Sequence, residues 1–329
     1  MPLRSLLRSP TRRALFALSG SLFGAALLAA ATPHAAAAET LRIGYQRSST
    51  LVTLLKASGE LEKALQSEGI SISWHEFTSG LPLLEALNVG NVDFSADVAD
   101  TVPVFAQAAG AKLAYVAEEA PSPTAQAILV PGKSETTSVE QLKGKKVAVT
   151  KGAGSHYLLI AALAKAGLSI KDVSPAYLTP ADGRAAFSTG NVDAYVTWDP
   201  FLASAQAQAG GRVLADGTDL AQYKRYYLTT DAYAKAHGRA LEIIFTQLKA
   251  KGAWVKANPK DAAEQLAALW KIEASIIETG NARRSYKVGA VTREGLSEQK
   301  KIADAFLADG LLPKKVDASQ VAIWQPASQ

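Results

Sequence analysis

The residues with the most chemical promise are short polar or glycine-rich strings that follow short apolar runs. They are Gln46-Arg47-Ser48, Thr78-Ser79-Gly80, Asp97 with Asp100 and Thr101, Gly152-Ala153-Gly154-Ser155-His156, and Trp198-Asp199. Thr124 joins them from a segment expected to cross between two lobes. A string of this kind that opens a helix offers unpaired backbone N–H groups and the positive end of a dipole, so it can hold an anion without a buried cation. Plainer roles compete with this one. Asp100, Thr101 and Asp199 stand before Pro103 or Pro200, where an N-cap worth about 1 kcal/mol belongs. Gly152 to Ser155 suit a tight turn, Trp198 suits either core packing or a flat apolar wall, and His156 suits a polar first turn.

Reaction chemistry finds little to work with. The chain has no cysteine, which removes thiolate nucleophiles, zinc thiolates and iron–sulfur clusters. Its histidines, at 34, 75, 156 and 237, show no metal-ligand spacing. Gly132-Lys133-Ser134 reads like the tail of a P-loop, but Ala127 stands where the first glycine is required, and no G-x-S-x-G elbow occurs. No catalytic residue, no metal and no cofactor is therefore expected.

Charge placement narrows the partners. Arg4, Arg8, Arg12 and Arg13 are the only charges before Glu39, and they account for most of the formal net charge of +5. The rest is close to neutral, so nucleic acid is not an expected partner. These arginines precede and flank an apolar run from Ala14 to Ala31, which is followed by the small residues Ala35 to Ala38. That is the pattern of a signal peptide over about 1–38, exported by the Sec or, given Thr11-Arg12-Arg13, the twin-arginine route. Without a lipid-attachment cysteine the product is expected to diffuse freely in the periplasm.

The elements needed to position these strings read as α/β. Strands at Leu41–Tyr45, Ile70–Trp74, Val92–Ala96 and Leu113–Ala117 alternate with helical stripes at Leu51–Leu65, Leu81–Val89 and Val102–Ala109. A second series has strands at Lys146–Thr150, Ala176–Leu178 and Val192–Thr197, with helices at Ser155–Ala166, Gly183–Ser188 and Phe201–Gln208. The expected organisation is a first lobe over 39–125, a second over 126–225, and a return to the first over 226–329 with C-terminal helices. Two strands near Pro121–Ala127 and Lys224–Tyr227 serve as the hinge. The helices around 240–256, 261–270 and 296–308 are expected to pack back on the first lobe. An echo at an offset of 100 residues relates the lobes: Gly90-Asn91-Val92-Asp93 recurs as Gly190-Asn191-Val192-Asp193. Because strand ends and helix starts share one crevice in such sheets, two facing lobes form a cleft that can close.

Longer strings carry a family likeness. Ala96-Asp97-Val98-Ala99-Asp100-Thr101-Val102-Pro103-Val104-Phe105-Ala106-Gln107-Ala108-Ala109-Gly110-Ala111, Ser155-His156-Tyr157-Leu158-Leu159 and Thr197-Trp198-Asp199-Pro200 resemble the periplasmic aliphatic sulfonate-binding proteins of ABC importers. Ile43-Gly44-Tyr45-Gln46 and Asn281-Ala282-Arg283-Arg284-Ser285-Tyr286 do so too. The resemblance implies a two-lobed, type II-like periplasmic binding protein that closes on an alkanesulfonate and delivers it to an ABC permease with its ATPase subunit. It implies a monomer that is not an enzyme. By the same resemblance the sulfonate rests on helix starts around Ser79, Gly80, Thr101 and Ser155, Trp198 flanks the alkyl part, and Gln46 reaches in from the first loop. Ala99 and Val102 depart from the glycine and proline common in that family, and Ala99 narrows backbone approach there. Related proteins of this fold bind taurine, nitrate or thiamine-pathway pyrimidines, and a sulfinate desulfinase on the same scaffold uses a cysteine nucleophile.

Overall fold

Where apolar residues alternate or run unbroken the chain forms strands, and where they recur every three or four positions it forms helices. The computed structural model describes residues 39–317 and 320–327; the proposed export leader lies outside the described residues. The chain opens with β1 (Glu39–Gln46), α1 (Thr50–Ser58), α2 (Glu60–Gln66), β2 (Ile70–Phe77) and α3 (Gly80–Asn88). It continues through β3 (Phe94–Ala99), α4 (Val102–Ala108) and β4 (Leu113–Glu119). The middle holds β5 (Gln126–Pro131), β6 (Lys146–Val149), α5 (Gly154–Lys165), β7 (Ser174–Tyr177), α6 (Pro180–Ser188), β8 (Ala194–Trp198), α7 (Phe201–Ala209) and β9 (Gly211–Asp216). The last third has β10 (Arg225–Thr230), α8 (Asp231–Ala236), α9 (Gly238–Ala257), α10 (Pro259–Trp270), α11 (Ala274–Arg283), β11 (Val288–Gly289), α12 (Ser297–Ala308) and β12 (Ala322–Ile323).

The strands form two sheets. The first runs β11-β4-β10-β3-β1-β2, with β12 on β4, and the second runs β7-β6-β8-β5-β9. β1 pairs parallel with β2 and β3, and β6 pairs parallel with β7 and β8. In each sheet a strand from elsewhere in the sequence is laid antiparallel beside these: β10 between β3 and β4, and β5 beside β8. The chain passes between the sheets twice, after Glu119 and after Asp216.

The echo is a structural unit used twice. Gly90 and Gly190 take φ of 76° and 72°, left-handed values that end α3 and α6 at little steric cost. The Asn91 and Asn191 N–H groups then each donate back into the helix at 2.8 Å, to Ala86 and Ala186. Asp93 and Asp193 each clamp the first parallel strand of their sheet. Asp93 accepts from the Arg42 N–H at 2.9 Å and Asp193 from the Lys146 N–H at 2.8 Å, and each returns its own N–H to the same residue's carbonyl at 2.8 Å.

α9 and α10 pack on the first sheet, with Leu241, Ile244, Leu248, Leu266 and Trp270 in the core that holds Leu41, Ile43 and Phe94. α12 differs from the expectation of a return to the first lobe alone. Its Ile302, Ala303 and Phe306 enter the core around α5, together with Val104 and Ala108 of α4. The Phe306 ring meets Phe105 of α4 at 4.8 Å and His156 of α5 at 5.3 Å, both edge to face, so α12 links a helix of the first sheet to one of the second. Among the described residues no helix is long and apolar enough to cross a membrane.

Candidate functional site

Three helix starts meet between the two sheets. Gly80 opens α3, Val102 opens α4, and Ala153-Gly154 opens α5; together with Gln46, Ala99, Trp198, Tyr223 and Arg225 they line a tight pocket of about 10 Å³, closed down around the three helix starts. α3 and α4 belong to the first sheet and α5 to the second, so the pocket is formed by both. None of the three starts is capped by its own N-cap side chain. The contrast with the echo is informative. Thr179, the counterpart of Ser79, accepts the Asp182 N–H at 3.2 Å and closes off α6, whereas the extended Ser79 leaves the first turn of α3 without a side-chain acceptor. Uncapped first-turn N–H groups converging from two sheets suit an anion.

Beneath the pocket lies a buried, charge-balanced floor of two carboxylates and two guanidiniums: Asp97, Glu119, Arg225 and Arg284. Arg225 Nε stands 2.6 Å from the Asp97 carboxylate, and its Nη2 donates to the Asp97 carbonyl at 2.9 Å. Arg284 reaches Asp97 at 3.1 Å, pairs with Glu119, and donates to the Ser48 carbonyl at 3.0 Å. The Tyr227 hydroxyl donates to Glu119 at 2.8 Å and the Arg225 Nη1 to the Tyr223 hydroxyl at 2.8 Å. Opposing charges this close keep both guanidiniums above their ordinary pKa against the cost of burial. With the pairs balanced, the backbone N–H groups rather than a net positive charge suit the site to an anion.

The structure places the sequence candidates as follows. Gln46, Gly80, Gly154 and Trp198 line the pocket, and Ser79 and Ser155 adjoin it in sequence. Gln46 is tied down, its Nε2 donating to the Asp97 carbonyl at 3.0 Å. Thr101 spans the two sheets, donating its hydroxyl to the Gly152 carbonyl at 2.7 Å. The Ser155 hydroxyl and the Trp198 Nε1 are buried with no hydrogen-bond partner among the described residues. Asp100, His156, Asp199 and Thr124 do not line the pocket. Asp199 accepts the Ala203 N–H at 3.0 Å and meets Arg283 at 3.2 Å, which is the helix-start role weighed against ligand contact. His156 staples its turn: Nδ1 accepts the Gly152 N–H at 3.0 Å, and burial, helped by Lys151, lowers its pKa to about 4, so it stays neutral. Thr124 is exposed in the crossing segment. Tyr223 and Arg225 escaped sequence reasoning because a buried arginine in a short strand carries no periodic signal.

Asp100 faces the hinge and α12. It accepts the Lys224 N–H at 3.1 Å, and its carbonyl accepts Gln299 Nε2 at 2.8 Å. Burial, opposed by the Lys224 N–H and reinforced by Glu298, pushes its carboxyl up to about 7 from 3.8. Between those values the folded chain holds a proton that the unfolded chain has released, so stability falls as pH rises through that window. Asp199, raised to about 6 chiefly by burial, acts in the same direction. Thermal midpoints of the wild type are therefore expected to decline from pH 5 to pH 7.5, and Asp100→Asn, fixed in the neutral form, is expected to decline less. Identical slopes for the two would remove Asp100 from this account.

The NMT1-like family profile matches residues 34–285. The chain belongs to the NMT1-like family. It is similar to the crystal structure of the periplasmic aliphatic sulphonate binding protein SsuA from Escherichia coli, at 43% identity and TM-score 0.79, covering 87% of this chain and 98% of that one. It is also similar to the alkanesulfonate-binding protein SsuA from Xanthomonas axonopodis pv. citri bound to MOPS, at 38% identity and TM-score 0.80 with the same coverage. The likeness read from Ala96–Ala111 and Thr197–Pro200 is thus borne out, and so is the two-lobed α/β periplasmic binding protein fold. The desulfurization enzyme DSZB shares that fold alone, at 15% identity and TM-score 0.62 over 88% of this chain and 97% of that one.

Proposed function

We propose that this NMT1-like chain is a periplasmic solute-binding protein that captures an aliphatic sulfonate between its two sheets and delivers it to an ABC permease and its ATPase for sulfur acquisition. The observation that carries this reading is the convergence of the α3, α4 and α5 starts on one pocket shared by both sheets. A sulfonate is ionised at any physiological pH and spreads its charge over three oxygens, which matches fixed N–H donors from several directions. Trp198 offers the alkyl part an apolar wall. A ligand that touches both sheets binds the closed arrangement better than the open one, and only that difference shifts the population. The protein works as a monomer, exported through the leader at about 1–38.

An enzyme on the same scaffold is disfavoured by the side chains present. The chain has no cysteine. Ser155 and His156 adjoin in sequence but form no nucleophile–base pair, because His156 Nδ1 is taken by the Gly152 N–H and neither Ser155 Oγ nor His156 Nε2 has a partner among the described residues.

The test is a thermal-shift panel on the mature protein with alkanesulfonates, taurine, sulfate, nitrate and pyrimidines. At about 100 times its dissociation constant a specific ligand stabilises the fold by roughly 2.7 kcal/mol, a readily measured rise in midpoint. The expected result is a dose-dependent rise with a sulfonate. No rise with any sulfonate, alongside a clear rise with nitrate or a pyrimidine, overturns the substrate.

A further inference from the structure

Gln126 carries an observation that the sulfonate reading alone does not use. It begins β5, it is fully buried, and neither its amide nitrogen nor its amide oxygen has a hydrogen-bond partner among the described residues. A buried primary amide with both ends unmatched is costly unless something else supplies the hydrogen bonds. Its position says where that something lies. Gln126 and Trp198 are register partners across the antiparallel β5–β8 pair, so their side chains leave the same face of the sheet. Trp198 lines the pocket, and its Nε1–H is itself buried without a partner. Because β5 runs antiparallel to β8, its first residue lies at the same edge as the last residue of β8, which is the edge facing the first sheet.

The sheet order sets a scale. In β7-β6-β8-β5-β9, β6 leads into the α5 start, β8 ends at Trp198, and β5 begins at Gln126. Strands are spaced about 4.8 Å apart, so Gln126 lies about 10 Å across the sheet from the strand that feeds the α5 anion cradle. That is too far for the headgroup held there, so what the Gln126 amide can meet is the other end of a short sulfonate lying along Trp198.

We infer that Gln126, with the Trp198 Nε1–H, forms a subsite for a hydrogen-bonding tail, and that this protein selects sulfonates whose far end carries a neutral group able to donate and accept, such as a hydroxyl. The inference rests on the sulfonate reading of the pocket. An amide offers both a donor and an acceptor, so a terminal hydroxyl satisfies it, whereas a methyl of the same size leaves it unmatched.

The experiment compares isethionate with its near-isostere propane-1-sulfonate by calorimetry on the wild type, on Gln126→Leu, and on Gln126→Met as the closer match in shape should the leucine variant fold poorly. The wild type is expected to bind isethionate at least about tenfold more tightly. Either variant is expected to lose most of that preference while keeping its affinity for propane-1-sulfonate within about threefold. Equal wild-type affinities, or a preference that survives in the variants, overturns the subsite and leaves the sulfonate reading standing. Binding of neither sulfonate, with nitrate or a pyrimidine bound instead, overturns the sulfonate reading itself and the subsite with it.

Discussion

Arg284→Met is expected to cost about 3–5 kcal/mol of folding stability and to lower the thermal midpoint by roughly 10 °C. Arg284 is 2% exposed and joins three partners that are distant in sequence: the Ser48 carbonyl, Asp97 and Glu119. Methionine fills a similar volume, so the loss is electrostatic. Asp97 would retain Arg225, but Glu119 would keep only the Tyr227 hydroxyl at 2.8 Å and would be left as a buried charge without a counterion. For that reason the double variant Arg284→Met with Glu119→Gln is expected to recover part of the loss. A single variant within about 1 kcal/mol of the wild type in a denaturant titration would mean that the floor contributes far less than its geometry implies.

Gly154→Ala is expected to weaken ligand binding by about five- to hundredfold. Gly154 opens α5, where alanine is the better helix former, so the substitution does not harm the second sheet's own packing. The cost arises between the sheets. An added Cβ would lie 2.7 Å from two carbons of the Tyr223 ring and 3.1 Å from the Ala99 Cβ of β3. Tyr223 cannot easily yield, because it is buried and its hydroxyl is held by Arg225 at 2.8 Å. The methyl therefore props the two sheets apart and penalises the arrangement that encloses the ligand. Calorimetry with the sulfonate that most stabilises the wild type measures the effect. Wild-type affinity in the variant would show that binding does not require this approach.

Much of the scaffold was legible because its information is local. Strict alternation marked β2, short mostly apolar runs marked β1 and β6, and the left-handed glycines Gly90 and Gly190 stand at the ends of α3 and α6. The repeated Gly-Asn-Val-Asp string pointed to a duplicated unit, and the matching hydrogen bonds of Asp93 and Asp193 give the physical reason for its recurrence. Apart from the two-residue β11 and β12, three strands were missed wholly or in part: β9, and β5 and β10 beyond the hinge ends near Ala127 and Lys224–Tyr227. Each gains its place from antiparallel partners far away in sequence, and β10 begins with a buried arginine that no hydrophobic pattern announces.

The pocket was legible to a similar degree. Helix starts could be read from turns and prolines, so Gly80, Thr101 and Gly154 were within reach. Asp100 and Asp199 shared that signal although one faces the hinge and the other caps α7 and meets Arg283. A string of residues does not reveal which way an aspartate points. Nor does it reveal that Arg225 and Arg284, 59 positions apart by their numbers, meet the same carboxylate.

Phe306 constrains how such a protein can move. Its ring meets both Phe105 of α4 and His156 of α5 edge to face, so one side chain of α12 ties together helices that flank different sheets. A relative movement of the two sheets would have to break or re-form these edge contacts, which makes the size of the side chain at 306 a lever on capture and release.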